Sequence, residues 1–172
     1  MIKVFQGLLP REEKDLHILA GILQKVYVFS LMWSIGAFLE TADRLKFEQY
    51  LRTKKDFDLD LPVTEDPNDT IFDFIVDSSG EWKHWKYLVP EFIYNPSNGT
   101  EYISILVPNI DNVRTDFLIN TIAKQGDPVL LLGEPGTAKT MMLKAYTSNL
   151  NPENHLSKTV NFSSATTPLQ FQ

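Results

Sequence analysis

Apolar residues recur three and four positions apart over residues 1 to about 55, so this stretch is predicted to be helical. Leu16, Leu19, Ala20, Leu23, Val26, Tyr27 and Ser30 trace one broad face of a long first helix. From Val26 to Leu39 the run is apolar nearly all round, and the helix is expected to pack on more than one side. Glu40-Thr41-Ala42-Asp43 interrupts the pattern, and Phe47, Tyr50 and Leu51 resume it on a shorter second helix. Two helices cannot cover such a surface by themselves, so another element must pack on them.

The pattern changes between Asp56 and Leu106, where Pro62, Pro67, Pro90 and Pro96 punctuate short β-prone runs. Ile71 to Val76 and Trp82 to Val89 flank Ser78-Ser79-Gly80, which predicts a hairpin. Asn98-Gly99 signals a turn before a third strand from Tyr102 to Val107. The last third reads as α/β. Asp111 is placed as the cap of a helix from about Asn112 to Lys124, with Val113, Phe117, Leu118, Thr121 and Ile122 inward. Gly126 suits a left-handed stop and Pro128 bars continuation. A strand from Val129 to Leu132, a Gly-bearing loop, a helix from Lys139 to Ser148 and a strand from Thr159 to Phe162 then make one βαβ unit of a parallel sheet.

Composition narrows the function classes. In 172 residues, 43% are apolar and 22% charged, the balance of a globular protein. A net charge of -6 argues against a nucleic-acid surface. The absence of cysteine excludes a disulfide framework and thiolate metal sites. Val26 to Leu39 is too short to cross a ~30 Å hydrocarbon layer, and no signal peptide is read at the start, so no membrane partner is expected. A membrane-tethered helix is disfavoured further by Lys25. His17, His84 and His155 are scattered without ligand spacing. Asp56-Phe57-Asp58-Leu59-Asp60 opens like a calcium loop, but Leu61 and Pro67 stand where that loop needs Gly and Glu. Trp82 and Trp85 are assigned to hairpin packing rather than to stacking on a base.

The chemistry concentrates in Gly133-Glu134-Pro135-Gly136-Thr137-Ala138-Lys139-Thr140, between an apolar run and a helix. In a P-loop, backbone N–H groups and the following helix N-terminus point at phosphates. Lys139 supplies the cation for the β- and γ-phosphates and the Thr140 hydroxyl a ligand for Mg²⁺. Ala138 replaces the usual Gly, which is tolerable in a helical conformation and strained at positive φ.

Several segments together resemble a dynein heavy chain at the join between its second and third AAA+ modules. Phe29 to Gly36 with Asp43-Arg44 and Phe47 resembles the helical lid of the second module. Phe72-Asp73-Phe74 with Trp82 and Trp85 resembles the insert that follows. Val107 to Arg114 resembles the opening of the third module, where Val107 and Pro108 would flank the adenine. Gly133 to Thr140 and Asn161 to Thr166 resemble its P-loop and second strand, in the Gly-Thr-Ala-Lys-Thr form familiar in axonemal members.

The resemblance implies an α/β fold in three parts: a helical lid end over residues 1–55, a β-rich connector over 56–106, and the start of a P-loop AAA+ module, an incomplete parallel sheet, over 107–172. It implies ATP or ADP with Mg²⁺ as cofactors. It also implies a regulatory nucleotide site in a microtubule minus-end motor of a ciliary or flagellar axoneme, with an inner arm expected. The implied partners are the rest of the ring, the other dynein subunits and, through the parent chain, microtubules. No acid pair, sensor or arginine finger can be assigned, so the chain alone is expected not to turn over ATP. The alternative function is a structural module bridging ring modules, with nucleotide incidental.

Overall fold

The computed structural model describes residues 2–9, 16–54, 59–64, 66–93 and 105–171. Helices α1 (Ile2–Leu8), α2 (Leu16–Ile35) and α3 (Thr41–Thr53) come first, followed by the strands β1 (Phe74–Val76) and β2 (Trp82–His84). Helices α4 (Ile110–Ala123), α5 (Lys139–Ser148) and α6 (Pro168–Phe171) complete the order.

Helix α2 is the centre of the core. Its buried residues are Ile22, Val26, Phe29, Ser30 and Trp33 on one stripe, joined by Val28 and Met32 beside it. Val26 and Ser30 lie on the expected face, but Leu23 and Tyr27 are 42% and 43% exposed. The face is therefore rotated from the one expected. The large rings of Phe29 and Trp33 bury more area than Leu23 and Tyr27 could, and they set the orientation. The side chains of Leu16, Leu19 and Ala20 lie outside the described residues. Packing on several sides does occur: α2 meets α1, the hairpin and, through Phe29, α4. Ser30 donates to the Val26 carbonyl at 2.8 Å, which satisfies its hydroxyl in the core.

A turn over Gly36–Phe38 separates α2 from α3, and Arg44 fastens it by donating to the carbonyls of Gly36 (3.1 Å) and Ala37 (3.4 Å). Glu48 on α3 is buried, accepting from the Ile71 N–H (3.2 Å) and from Arg52 Nε (2.9 Å). Arg52 in turn donates to the Pro62 carbonyl (3.0 Å), so two side chains of α3 hold the start of the connector.

The expected hairpin forms, with shorter strands. Its register pairs Phe74 with His84, Ile75 with Lys83 and Val76 with Trp82, antiparallel. Ile71–Asp73 and Trp85–Leu88, expected as strand, are 3-10 turns instead. Thr70 begins the first of these, its hydroxyl accepting from the Phe72 N–H while Asp73 accepts from the Thr70 N–H (2.9 Å). His84 begins the second by accepting from the Lys86 N–H at 2.9 Å. These local hydrogen bonds compete with ladder pairing and win. Gly80 closes the hairpin at φ +82°, and an added Cβ there would lie 1.7 Å from Ile22 Cγ2. The turn is thereby pressed onto α2, where Lys25 pairs with Glu81 (2.9 Å) and Asp60 (3.6 Å). Trp85 is fully buried and Trp82 Nε1 donates to the Asp60 carbonyl (2.9 Å), so both rings serve packing.

Helix α4 starts two residues earlier than expected, and Asn109 rather than Asp111 caps it, accepting from the Asn112 N–H at 2.8 Å. Asparagine and aspartate cap equally well, so composition alone does not choose between them. Val113, Phe117, Leu118 and Ile122 pack on the core as expected, and Phe117 meets Phe29 and Trp85 at ring distances of 6.1 and 5.5 Å. Gly126 stops the helix at φ +77°.

The parallel sheet expected in the last third is not formed among the described residues. Val129 to Leu132 and Thr159 to Phe162 carry no ladder, and the hairpin is the one sheet described. Strands on either side of a connecting helix need not be neighbours, and a strand without a neighbour gains no ladder hydrogen bonds. The Asn98-Gly99 turn, Tyr102 to Ser104 and Asp56 to Asp58 lie outside the described residues. Ile105 to Val107 form neither helix nor strand.

Candidate nucleotide site

Helix α5 begins at Lys139, as the sequence predicts, so the first-turn N–H groups that lack intrahelical partners face the end of the glycine-bearing loop. Gly136 takes φ +84° and Ala138 takes φ 58°. Ala138 is therefore the non-glycine residue in the left-handed region among the described residues, the strained case that the substitution for glycine raised.

The loop is folded around its lysine. Lys139 Nζ donates to the carbonyls of Gly133 (3.0 Å) and Glu134 (2.5 Å) and to Thr137 Oγ1 (2.9 Å). The Thr137 hydroxyl donates a hydrogen bond to the Glu134 carbonyl at 2.9 Å. A Cβ added at Gly133 would meet Thr137 Oγ1 at 3.3 Å and Lys139 Nζ at 3.8 Å, so a larger residue there would crowd the ammonium. Three neutral oxygens hold the charge in place without neutralising it. Thr140 is exposed one residue further on.

Two clefts meet at the loop. One of about 730 Å³ is bounded by the loop itself and Met141. The other, about 520 Å³, runs from Gly136 to Lys139 across to Asn109, Asp111, Asn112 and Thr115 at the start of α4, with Leu131, Leu132 and Met142 as its apolar floor. Val107 and Pro108, expected beside a base, directly precede Asn109. Val107 is 55% exposed and its carbonyl accepts from Asn112 Nδ2 at 3.3 Å. The polar wall made by α4 escaped the sequence reading. The placement of Asn109 as cap was the missing signal, because it puts the first turn of α4 opposite the loop. A separate cavity of about 480 Å³ lies between α1, α2, α4 and the hairpin turn.

Among the described residues no group of His, Asp and Glu is arranged to hold a metal ion, and no helix is long and apolar enough to cross a membrane. His84 packs between the Phe74 and Tyr87 rings with Nε2 3.4 Å from Asp69, while His155 is exposed.

Comparison with known proteins assigns both parts of the chain to one family. Residues 1–87 match the family described as the dynein heavy chain AAA lid domain, and residues 94–172 match the P-loop containing dynein motor region. These matches define a chain of AAA-type dynein domains, a lid followed by a P-loop containing region. Dynein axonemal heavy chain 5 of Rattus norvegicus is 52% identical over 169 residues, covering 98% of this chain and 5% of the relative. Dynein axonemal heavy chain 8 of Homo sapiens is 48% identical over 172 residues, 99% of this chain and 4% of the relative. The flagellar outer arm dynein gamma chain of Chlamydomonas reinhardtii is 39% identical over 152 residues, 87% of this chain and 3% of the relative. This chain belongs to the axonemal dynein heavy chain family. It spans about one twentieth or less of the length of these relatives. The flagellar inner arm I1 dynein-1-alpha heavy chain of Chlamydomonas reinhardtii also matches, 33% identical over 161 residues, so the relatives do not distinguish the two arms.

Proposed function

We propose that Gly133 to Thr140 form the phosphate cradle of a regulatory ATP or ADP site within an axonemal dynein heavy chain. The observation that carries this reading is the Lys139 ammonium, held at the α5 N-terminus by loop oxygens alone. Phosphate oxygens are stronger acceptors than carbonyls, and an ammonium exchanges one for the other readily. The first-turn N–H groups of α5 would take the remaining phosphate oxygens. Thr140 would hold the Mg²⁺ that accompanies the nucleotide, which supplies charge neutralisation at the phosphates. Val107 and Pro108 would lie along the base, with the start of α4 closing the cleft. In the parent protein the site would serve a microtubule motor of the axoneme, assembled with the rest of the ring and the other dynein subunits.

The reading is tested by titrating the 172-residue chain with fluorescent mant-ADP and Mg²⁺, next to Lys139→Ala. A charge-assisted contact contributes about 1.5–3 kcal/mol, so the variant should bind at least about tenfold more weakly. Equal affinity in the two proteins would remove the loop from the site.

A further inference from the structure

Arg114 joins the proposed nucleotide cleft to the lid. It stands one turn into α4, and its guanidinium pairs with Asp111, a residue of the cleft wall. The other guanidinium nitrogen donates to the Phe72 carbonyl (3.4 Å) and lies 3.5 Å from Asp73. The plane also sits 5.3 Å from the Trp33 ring. Trp33 and Phe72 pack edge to face at 5.6 Å, and Arg44 of α3 covers both rings at 5.8 and 5.1 Å. A single planar side chain thus touches the cleft wall, the connector and the corner between α2 and α3. Its side chain is 15% exposed, so its contacts with Phe72 and Trp33 are shielded from competing water, while its partner Asp111 is 78% exposed.

The far end of α4 is held as well. Gln125 donates to the Lys3 carbonyl (2.7 Å), and Lys3 pairs with Asp127 (3.1 Å). Between the two ends, Phe117 is packed in the lid core. Helix α4 cannot shift against the cleft without moving lid contacts.

We propose that Arg114 is a positioning residue through which nucleotide in the cleft orders the α2–α3 corner of the lid. The inference rests on the nucleotide-site reading above and adds the direction in which its state is passed. A group bound between the loop and α4 restrains Asp111. Restraining Asp111 fixes one arm of the Arg114 fork, and the fork geometry carries that restraint to Phe72 and Trp33. Coupling is reciprocal, so a lid that anchors Arg114 also strengthens nucleotide binding by the same factor.

The experiment is hydrogen–deuterium exchange on the 172-residue chain with and without mant-ADP and Mg²⁺, with the affinity measured in parallel. The wild-type chain should bind the probe and show slower exchange in peptides spanning Ser34 to Arg44 and Thr70 to Phe74. Arg114→Gln should lose that protection at saturating probe and bind about fivefold more weakly or worse, the lower end of ordinary coupling. Arg114→Lys should restore part of it, since one ammonium can serve Asp111 or the Phe72 carbonyl but not both in the planar fork. Circular dichroism establishes that each variant is folded. Should Arg114→Gln not fold, Asp111→Asn at the exposed end of the same link should lower the protection in its place. If the wild-type chain fails to bind the probe, the nucleotide-site reading falls and this inference with it. Binding without protection of the corner, or protection that persists in Arg114→Gln or Asp111→Asn, overturns the inference alone.

Discussion

Ala138 sits where a glycine would be unstrained. Its φ of 58° places Cβ against the backbone, a conformation costing an L-residue roughly 1–2 kcal/mol. It is also the N-cap of α5, a position where alanine is among the poorer residues and makes no side-chain hydrogen bond. Glycine would remove the strain and loosen the unfolded chain, which returns about 0.4–1 kcal/mol of the gain. The expected balance for Ala138→Gly is a stabilisation of about 0.5–1 kcal/mol, read as a rise in urea midpoint at unchanged slope. Ala138→Val should move the midpoint the other way, because a β-branched side chain is worse still at positive φ. A lower midpoint for the glycine variant would show that the left-handed cap is not strained. The sequence contained the question, since the substitution for glycine is visible in it, but the sign of φ is a property of the folded loop.

The hairpin shows how an element is held by a few local groups. Asp77 accepts from the Ser79 N–H (2.9 Å), the Ser79 hydroxyl (2.5 Å) and the Glu81 N–H (3.0 Å). The Ser79 hydroxyl first, then the Glu81 N–H, holds its carboxyl below the ordinary 3.8. A carboxyl depressed on folding stabilises the folded state above its unfolded value, and that contribution is lost as pH falls through the folded value. The turn should therefore keep its hydrogen bonds at neutral pH and release them below about pH 3.8. Amide chemical shifts of Ser79 and Glu81 should titrate in that acid range, and Asp77→Asn should abolish the titration. On the opposite flank, Lys25 is held above its ordinary 10.5, mainly by its hydrogen bond to Glu81, so the clasp on α2 persists to alkaline pH. Elements of this kind were legible where one local signal dominated: the Ser-Ser-Gly turn, the Lys139 helix start and the Gly126 stop. Where two signals competed, the outcome depended on contacts distant in sequence. Asp111 was expected as the cap of α4, and Asn109, two residues earlier, takes that place. The stripe on α2 turned on which rings the hairpin and α4 could receive. The strands at Val129 and Thr159 had the right residues, but pairing is a relation to a neighbour that composition does not supply.

At the scale of the molecule, the packing boundary and the family boundary fall in different places. The lid match ends at residue 87 and the P-loop match begins at residue 94, yet α4, which lies within the second, completes the core of the first. Five of its apolar side chains, Ile110, Val113, Phe117, Leu118 and Ile122, pack on the cluster around Phe29 and Trp85. At about 1–2 kcal/mol for each partly buried side chain, their removal forfeits roughly 5–10 kcal/mol, as much as a small domain has in total. A chain cut after residue 93 should therefore lose cooperative unfolding and bind 1-anilinonaphthalene-8-sulfonate, while one cut after residue 128, with α4 kept, should retain a sigmoidal urea transition. Phe117→Ala in the full chain is the graded form of the same test, expected to cost about 2–3 kcal/mol, the lost burial of a partly buried ring plus the gap it leaves between Phe29 and Trp85. Equal cooperativity in the chains cut at 93 and 128 would mean that the lid core is complete without α4. The link from cleft to lid through Arg114 would then join two bodies that fold apart, instead of crossing one continuous core.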